Sequence, residues 1–171
     1  MHNNQILVPK KKFEYAFSLY QKGHLEKAIN EIKQLNNQYP NQPILFNLIG
    51  ACYKDLGELE GAAKMFEIAV SIKPDYAEAF FNLGLALHAL DKKPHALECY
   101  KKALQSSPKY AEAHNNLGNL YKEFGLLDLS IESLEWAVAY KHDYAEAFNN
   151  LGAAYHDIGR VEDAIKSFER A

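Results

Sequence analysis

Four glycines recur at a fixed interval of 34 residues along this chain: Gly50, Gly84, Gly118 and Gly152. A period of this length is typical of repeat proteins built from stacked helical hairpins. In such proteins each hairpin buries its apolar face against its neighbours, so no single closed core is needed. The spacing therefore predicts an open all-α stack that holds another molecule on its surface.

Small and apolar residues around each glycine return at steps of three and four, which places them on one stripe of a helix. The second repeat shows this on two successive stretches: Phe46, Ile49, Gly50 and Tyr53, then Ala62, Phe66, Ala69 and Val70. Gly57 lies between them, where a helix end favours a residue that tolerates positive φ. Pro74 follows and cannot continue the second helix. We therefore expect two helices in each repeat.

Two further features of the repeat carry structural predictions. A glycine inside a helix costs about 0.5–1 kcal/mol relative to alanine. The return of Gly50 in later repeats therefore predicts that two helices approach closely there. Asp75 precedes Glu78 by three residues, and Asp143 precedes Glu146 in the same way. This spacing predicts helices that begin with a side-chain N-cap and a reciprocal acid.

This combination resembles the tetratricopeptide repeat (TPR) family across nearly the whole chain. The resemblance implies an all-α fold, a right-handed α-solenoid of stacked antiparallel helix pairs. We expect a polar N-terminal segment at 1–8, a degenerate first repeat at 9–42, repeats at 43–76, 77–110 and 111–144, and an incomplete fifth at 145–171. The fifth copy has no capping helix, so we expect either a truncated piece of a longer protein or end-to-end association.

In TPR proteins the first helix of each pair lines a concave groove, and three asparagines share one first-helix position here: Asn82, Asn116 and Asn150. Asparagines also occupy the preceding position in the second, fourth and fifth repeats: Asn47, Asn115 and Asn149. An amide carries both donors and an acceptor, so it pairs with a peptide backbone whatever the side chains are. The resemblance adds further groove positions: Phe81, His88, Lys122 and His156. We therefore expect a scaffold that binds a protein or an extended peptide.

The runs Ala77-Glu78-Ala79 and Asn82-Leu83-Gly84 look like the repeats of O-linked N-acetylglucosamine transferases. There an asparagine ladder grips acceptor polypeptides, so one alternative is the substrate-recruiting arm of an enzyme whose catalytic part is absent. Glu14 and Leu48 interrupt the ladder in the first two repeats. Another alternative is a self-associating structural module. The carboxylate clamp of co-chaperone repeats is not supplied, because Phe13, Phe17 and Glu112 stand at the corresponding positions.

Several classes of function are not indicated. The formal net charge is −3, whereas nucleic acid favours a basic stripe, and we interpret the Lys10–Lys12 run as a solvated helix entry. Phosphate-loop, CxxC and HExxH motifs are not found. His95 and Cys99 are four apart on one predicted helix, but two ligands make a weak metal site. We therefore expect no catalytic residue, cofactor or metal in this segment.

The remaining predictions concern location and single side chains. No apolar run approaches the roughly 20 residues that span a membrane, and the N-terminus lacks a signal-peptide pattern, so we expect a cytoplasmic protein without membrane contact. Cys52 and Cys99 are interpreted as partly buried thiols in a reducing compartment. His114 replaces a large apolar residue and is expected to pack with polar partners at its ring. Trp136 is expected to cover its hairpin or, if exposed, to anchor a partner.

Overall fold

The computed structural model describes residues 7–171 and contains ten α-helices and no strand in that range. The predicted segment at 1–8 therefore lies mostly outside the described residues. The helices are, in chain order, α1 Lys10–Gln21, α2 Leu25–Gln38, α3 Pro43–Asp55, α4 Leu59–Ile72, α5 Ala77–Ala89, α6 Lys93–Ser106, α7 Ala111–Glu123, α8 Leu127–Tyr140, α9 Ala145–Asp157 and α10 Val161–Phe168. The all-α repeat fold predicted from the glycine spacing is confirmed.

The helices belong to two compact units. The described residues up to Lys92 form the N-terminal unit with α1–α5, and Lys93–Ala171 form the C-terminal unit with α6–α10. Within each unit, helices that follow one another in the chain pack together, and α3 contacts α5 just as α7 contacts α9. The first helices of neighbouring hairpins therefore lie side by side within each unit and present a continuous face.

The helix-interior glycines mark close helix contacts, as predicted. A Cβ atom built on Gly50 would lie 2.6 Å from the ring of Phe66 in the paired helix. The corresponding distance at Gly118 is 2.6 Å to Leu134, and at Gly152 it is 2.7 Å to the ring of Phe168. Since carbon atoms in contact stay about 3.5 Å or more apart, only glycine fits at these three positions.

Turns between paired helices use backbone conformations with positive φ. Gly57 has φ 81°, which confirms its prediction as a helix-ending residue. Gly23, Gly125 and Gly159 adopt the same region in their own hairpins. In the connection between α5 and α6, Asp91 takes this role with φ 56°, and aspartate is one of the few side chains that tolerate it.

The predicted side-chain N-caps are wrong. α5 and α9 begin after Tyr76 and Tyr144, and neither N-cap residue makes a side-chain capping hydrogen bond. The acids that were expected to reach back to the caps are engaged elsewhere, because Glu78 and Glu146 each accept a hydrogen bond from an asparagine of the preceding first helix. Packing between hairpins thus replaces the local capping that the spacing suggested.

The core consists of aliphatic and aromatic side chains between paired helices. Phe66, Leu134 and Tyr100 are fully buried, and both cysteines are buried thiols outside any disulfide, more buried than predicted. Burial and the nearby charge of Asp55 raise the pKa of Cys52 to about 11. Within residues 7–171, every helix is too short or too polar to cross a bilayer.

Candidate functional site

Three first helices of the N-terminal unit enclose a cavity of about 350 Å³. The helix α1 contributes an aromatic wall of Phe13, Phe17 and Tyr20, and α3 contributes an aliphatic wall that includes Ile44 and Leu48. Polar groups complete the lining: Asn47, Lys54, Tyr76, Glu78 and Asn82. A mainly apolar hollow with a few convergent polar groups is the usual form of a binding pocket.

The aromatic wall follows from helix periodicity. Phe13, Phe17 and Tyr20 are spaced by four and three residues, so their rings lie on one face of α1. The rings of Phe13 and Phe17 are stacked with centroids 6.1 Å apart, and those of Phe17 and Tyr20 are also 6.1 Å apart. Phe17 and Ile44 remain 38% and 40% exposed, so the cavity presents apolar surface to solvent.

An amide–carboxylate bridge links α3 to α5 at the polar side of this cavity. Asn47 is buried, and its side-chain amide donates a hydrogen bond to the carboxylate of Glu78 over 3.0 Å, while the amide of Asn82 donates to the side-chain oxygen Oδ1 of Asn47 over 3.1 Å. The hydroxyl of Tyr76 also lies 3.4 Å from the Asn47 amide, and burial together with the charge of Glu78 raises the pKa of Tyr76 to about 12. Asn47 is therefore fixed by the hairpin that follows it.

A second polar group lies at the Tyr20 end of the cavity. Burial and a hydrogen bond with Asp55 raise the pKa of Tyr20 to about 12. Since the phenol keeps its proton, it donates to the carboxylate. The Lys54 ammonium lies 3.4 Å from the same carboxylate, and its side chain is 33% exposed. Lys54 thus brings a positive charge to the cavity lining.

The C-terminal unit repeats the bridge with the same residue types. Asn115 is fully buried, and its side-chain amide donates to the carboxylate of Glu146 over 2.9 Å, while the amide of Asn150 donates to the side-chain oxygen Oδ1 of Asn115 over 2.9 Å. Burial and the charges of Glu146 and Glu112 raise the pKa of Tyr144 to about 12. The bridge between successive first helices is therefore a property of both units.

The surroundings of the second bridge are polar. Glu112 pairs with Lys141 at 3.0 Å, and Lys122 pairs with Asp157 at 3.0 Å. Partial burial acts to raise the pKa of Glu112, but the hydrogen bond from Lys141 and a backbone hydrogen bond lower it overall. Asn116 turns back and donates to the backbone oxygen of Glu112 over 2.8 Å.

The predicted site residues fall into three groups. Two asparagine pairs are brought together, one in each unit: Asn47 with Asn82, and Asn115 with Asn150. Phe81, His88, Asn116 and Lys122 are half-buried on first helices and lie outside those pairs, whereas Asn149 and His156 are exposed. The aromatic wall was missed as a site, although the spacing of Phe13, Phe17 and Tyr20 was the signal that would have revealed it.

His114 packs as predicted. It is half-buried, and its Nε2 lies 2.9 Å from the backbone oxygen of Pro108, so this nitrogen donates to the carbonyl. Burial lowers its pKa. Among residues 7–171 no group of three or more histidine, cysteine, aspartate or glutamate side chains is arranged to hold a metal ion.

Comparison with known families identifies the repeat. A family model described as TPR repeat matches residues 50–91 and 94–125, and one described as tetratricopeptide repeat matches 115–171. The chain therefore belongs to the TPR family. No match was found among curated protein sequences.

Solved structures share the fold over nearly the full chain. The crystal structure of MamA is 27% identical, with a TM-score of 0.82 over 96% of this chain and 94% of that chain. YrrB, a TPR protein with an unusual peptide-binding site, is 21% identical, with a TM-score of 0.76 over 98% and 86%. TTC0263, a thermophilic TPR protein of Thermus thermophilus, is 23% identical, with a TM-score of 0.75 over 95% and 89%. The fold is one typical of protein–protein interaction modules.

Proposed function

We propose that this chain is a scaffold that binds an extended polypeptide along the first helices of its repeats. The observation that carries the proposal is the cavity of about 350 Å³ between α1, α3 and α5. Its aromatic and aliphatic walls suit one bulky apolar side chain of a partner, and the neighbouring amides suit the backbone on either side. A peptide-binding site in YrrB, which has the same fold, supports this proposal.

Apolar anchoring contributes more to binding than the amides do. Full burial of one large apolar side chain is worth about 1.5–3 kcal/mol, whereas a single hydrogen bond is worth about 0.5–1.5 kcal/mol net. Asn82 and Asn150 each spend one amide hydrogen on the bridge, which leaves the second hydrogen and the carbonyl oxygen for a partner. We therefore assign affinity to the cavity and backbone alignment to the asparagines.

Each unit also carries further predicted first-helix positions beside its own bridge. In the N-terminal unit these are the apolar Phe81 and the polar His88 of α5, both half-buried. In the C-terminal unit Asn149 and His156 are exposed on α9, and Asn116 and Lys122 are half-buried on α7. Side chains of this kind favour a polypeptide of varied sequence rather than one fixed motif.

Peptide selection on the intact chain tests the proposal. A selected peptide should bind Phe17→Ala at least about tenfold more weakly than the parent, because truncation of a hot-spot residue costs about 2 kcal/mol or more. Tyr15→Ala is the matched control, since Tyr15 lies on the same helix, is 56% exposed and is not in the cavity lining. Equal affinity of the parent and Phe17→Ala for every selected peptide would exclude the cavity as the anchor.

Self-association is a second candidate function, favoured by the exposed apolar face of α10. Ile165 is 53% exposed and Phe168 is 46% exposed, whereas Ile131 and Leu134 at the same positions of α8 are buried against the following hairpin. A second copy would cover this face. Light scattering should then show a dimer or larger species that Ile165→Glu converts to monomer, and a monomer at all concentrations removes this candidate.

A further inference from the structure

Helix α8, the second helix of the hairpin α7–α8, carries an exposed ridge of aromatic and aliphatic side chains. This ridge is not part of the first-helix faces described above. Leu129, Trp136 and Tyr140 are 41%, 47% and 36% exposed and follow one another at helical spacing. The rings of Trp136 and Tyr140 are stacked with centroids 5.5 Å apart, and Tyr140 also contacts the ring of His114 at 5.6 Å. The ridge is therefore held in place before any partner arrives.

The ridge is specific to α8 and is not a property of the repeat. The position of Trp136 is occupied by Ile68 in α4, Lys102 in α6 and Arg170 near the end of α10. Packing within the hairpin does not need a tryptophan there, because the other hairpins form without one. Exposed tryptophan and tyrosine side chains are the residue types most enriched at binding hot spots.

Carboxylates run along the side of the ridge. Glu132 and Asp128 lie one and two turns before Trp136 on the same side of α8, and both are exposed. Among residues 7–171 neither forms an ion pair. A third acid of the helix, Glu135, accepts a hydrogen bond from the hydroxyl of Tyr155. The surface therefore combines apolar rings with negative charge that the described part of the chain leaves uncompensated.

We propose that this α8 face binds a basic amphipathic segment of a partner protein. An apolar side chain of the partner would pack on Leu129 and Tyr140, and a lysine or arginine would lie over the face of Trp136 as a cation–π contact. Further basic side chains would pair with Asp128 and Glu132. The same carboxylates repel phosphates, so neither nucleic acid nor an anionic lipid surface fits this face.

Trp136 is the sole tryptophan of the chain, so its fluorescence reports this face directly. The probe is a short synthetic helix of leucine, lysine and alanine with one apolar stripe, and its control is the same helix with glutamate in place of lysine. The lysine helix should shift the Trp136 emission in a saturable way that weakens with added salt. An unchanged emission, or an equal response to the glutamate helix, would overturn the proposal.

Variants separate this face from the peptide cavity. By calorimetry, Trp136→Ala should weaken binding of the lysine helix about tenfold, and Asp128→Asn with Glu132→Gln should weaken it and reduce its salt dependence. Lys102→Ala, at the equivalent position of α6, is the control and should not weaken it. Phe17→Ala should bind the lysine helix with the affinity of the parent. The test of the α8 face is therefore independent of the test of the cavity.

The competing occupant is a second copy of the chain. In that case the Trp136 emission would change with protein concentration alone, and the lysine helix would have no effect. That result would overturn the proposal of a basic partner. Circular dichroism of each variant confirms that the helices are intact, so a loss of binding is not a loss of folding.

Discussion

The first-helix faces of the two units are built on the same bridge but differ in what surrounds it. Asn47, Glu78 and Asn82 in the N-terminal unit correspond to Asn115, Glu146 and Asn150 in the C-terminal unit, and the hydrogen bonds are the same. The bridge is therefore a structural feature that both units share.

The flanking residues carry the difference. Ile44 and Leu48 form a wall of a cavity in the N-terminal unit, whereas Glu112 and Asn116 occupy the same repeat positions in the C-terminal unit. One face thus offers apolar burial, and the other offers hydrogen bonds and charge. A repeat protein can thus keep the same hydrogen-bonded bridge and change the chemistry at a few neighbouring positions of each hairpin.

The largest expected effect tests whether the two units share one helix-packing scheme. Leu83 and Leu151 occupy the same repeat position, and they are 5% and 4% exposed. Leu83→Ala and Leu151→Ala should each cost about 2–5 kcal/mol of unfolding free energy, because each leaves a cavity in the helix packing. Urea titration followed by circular dichroism measures both. A loss in one unit only would show that the units do not share one packing scheme.

The next effect tests whether the bridge is structural. Asn115→Ala leaves the carboxylate of Glu146 and the amide of Asn150 without their partner, which should cost about 1–3 kcal/mol. Asn149 occupies the same repeat position in α9 but is exposed, so Asn149→Ala should stay within about 0.5 kcal/mol of the parent. Urea titration measures the unfolding free energy of both variants. If both lose the same amount, the bridge does not contribute to stability.

Sequence periodicity was enough to predict the helices, the glycine turns and the close approach at Gly50, because these depend on contacts within a hairpin. It was not enough for the bridge. Asn47 and Glu78 are far apart in the sequence, and only the stacking of hairpins brings them together. The same stacking explains why the N-cap prediction for Glu78 was wrong. The cavity was also missed, since it needs α1 and α3 side by side.

A third variant introduces into the N-terminal unit an acidic residue that the C-terminal unit has at the same repeat position. Ile44→Glu places in the N-terminal unit the acid that Glu112 provides in the C-terminal unit. Ile44 is 40% exposed, so the helices should remain stable, while the apolar wall of the cavity is lost. Binding of a selected peptide should weaken about tenfold, equivalent to about 1.4 kcal/mol. Calorimetry measures it, and an unchanged affinity would mean that the wall is not contacted.

The smallest effect concerns an ion pair of the C-terminal unit. Glu112 pairs with Lys141, whereas Ile44 and Lys73 occupy the corresponding repeat positions in the N-terminal unit, so the acid is missing there. Partial burial raises the pKa of Glu112, and the Lys141 hydrogen bond outweighs it, so the folded pKa lies below the ordinary value of 4.5. The carboxylate therefore contributes stability above that value, and the contribution is lost as the pH falls through the folded pKa.

Since both side chains of this pair are more than a third exposed, solvent screening keeps its contribution to stability small. Glu112→Gln should lower the melting temperature slightly at neutral pH, and its melting curve should converge with that of the parent in acid. Raising the salt concentration should shrink the difference at neutral pH in the same way. If the melting temperatures of Glu112→Gln and the parent still differ at low pH, the effect of Glu112 comes from packing. The difference in charge between the two faces would then not contribute to stability.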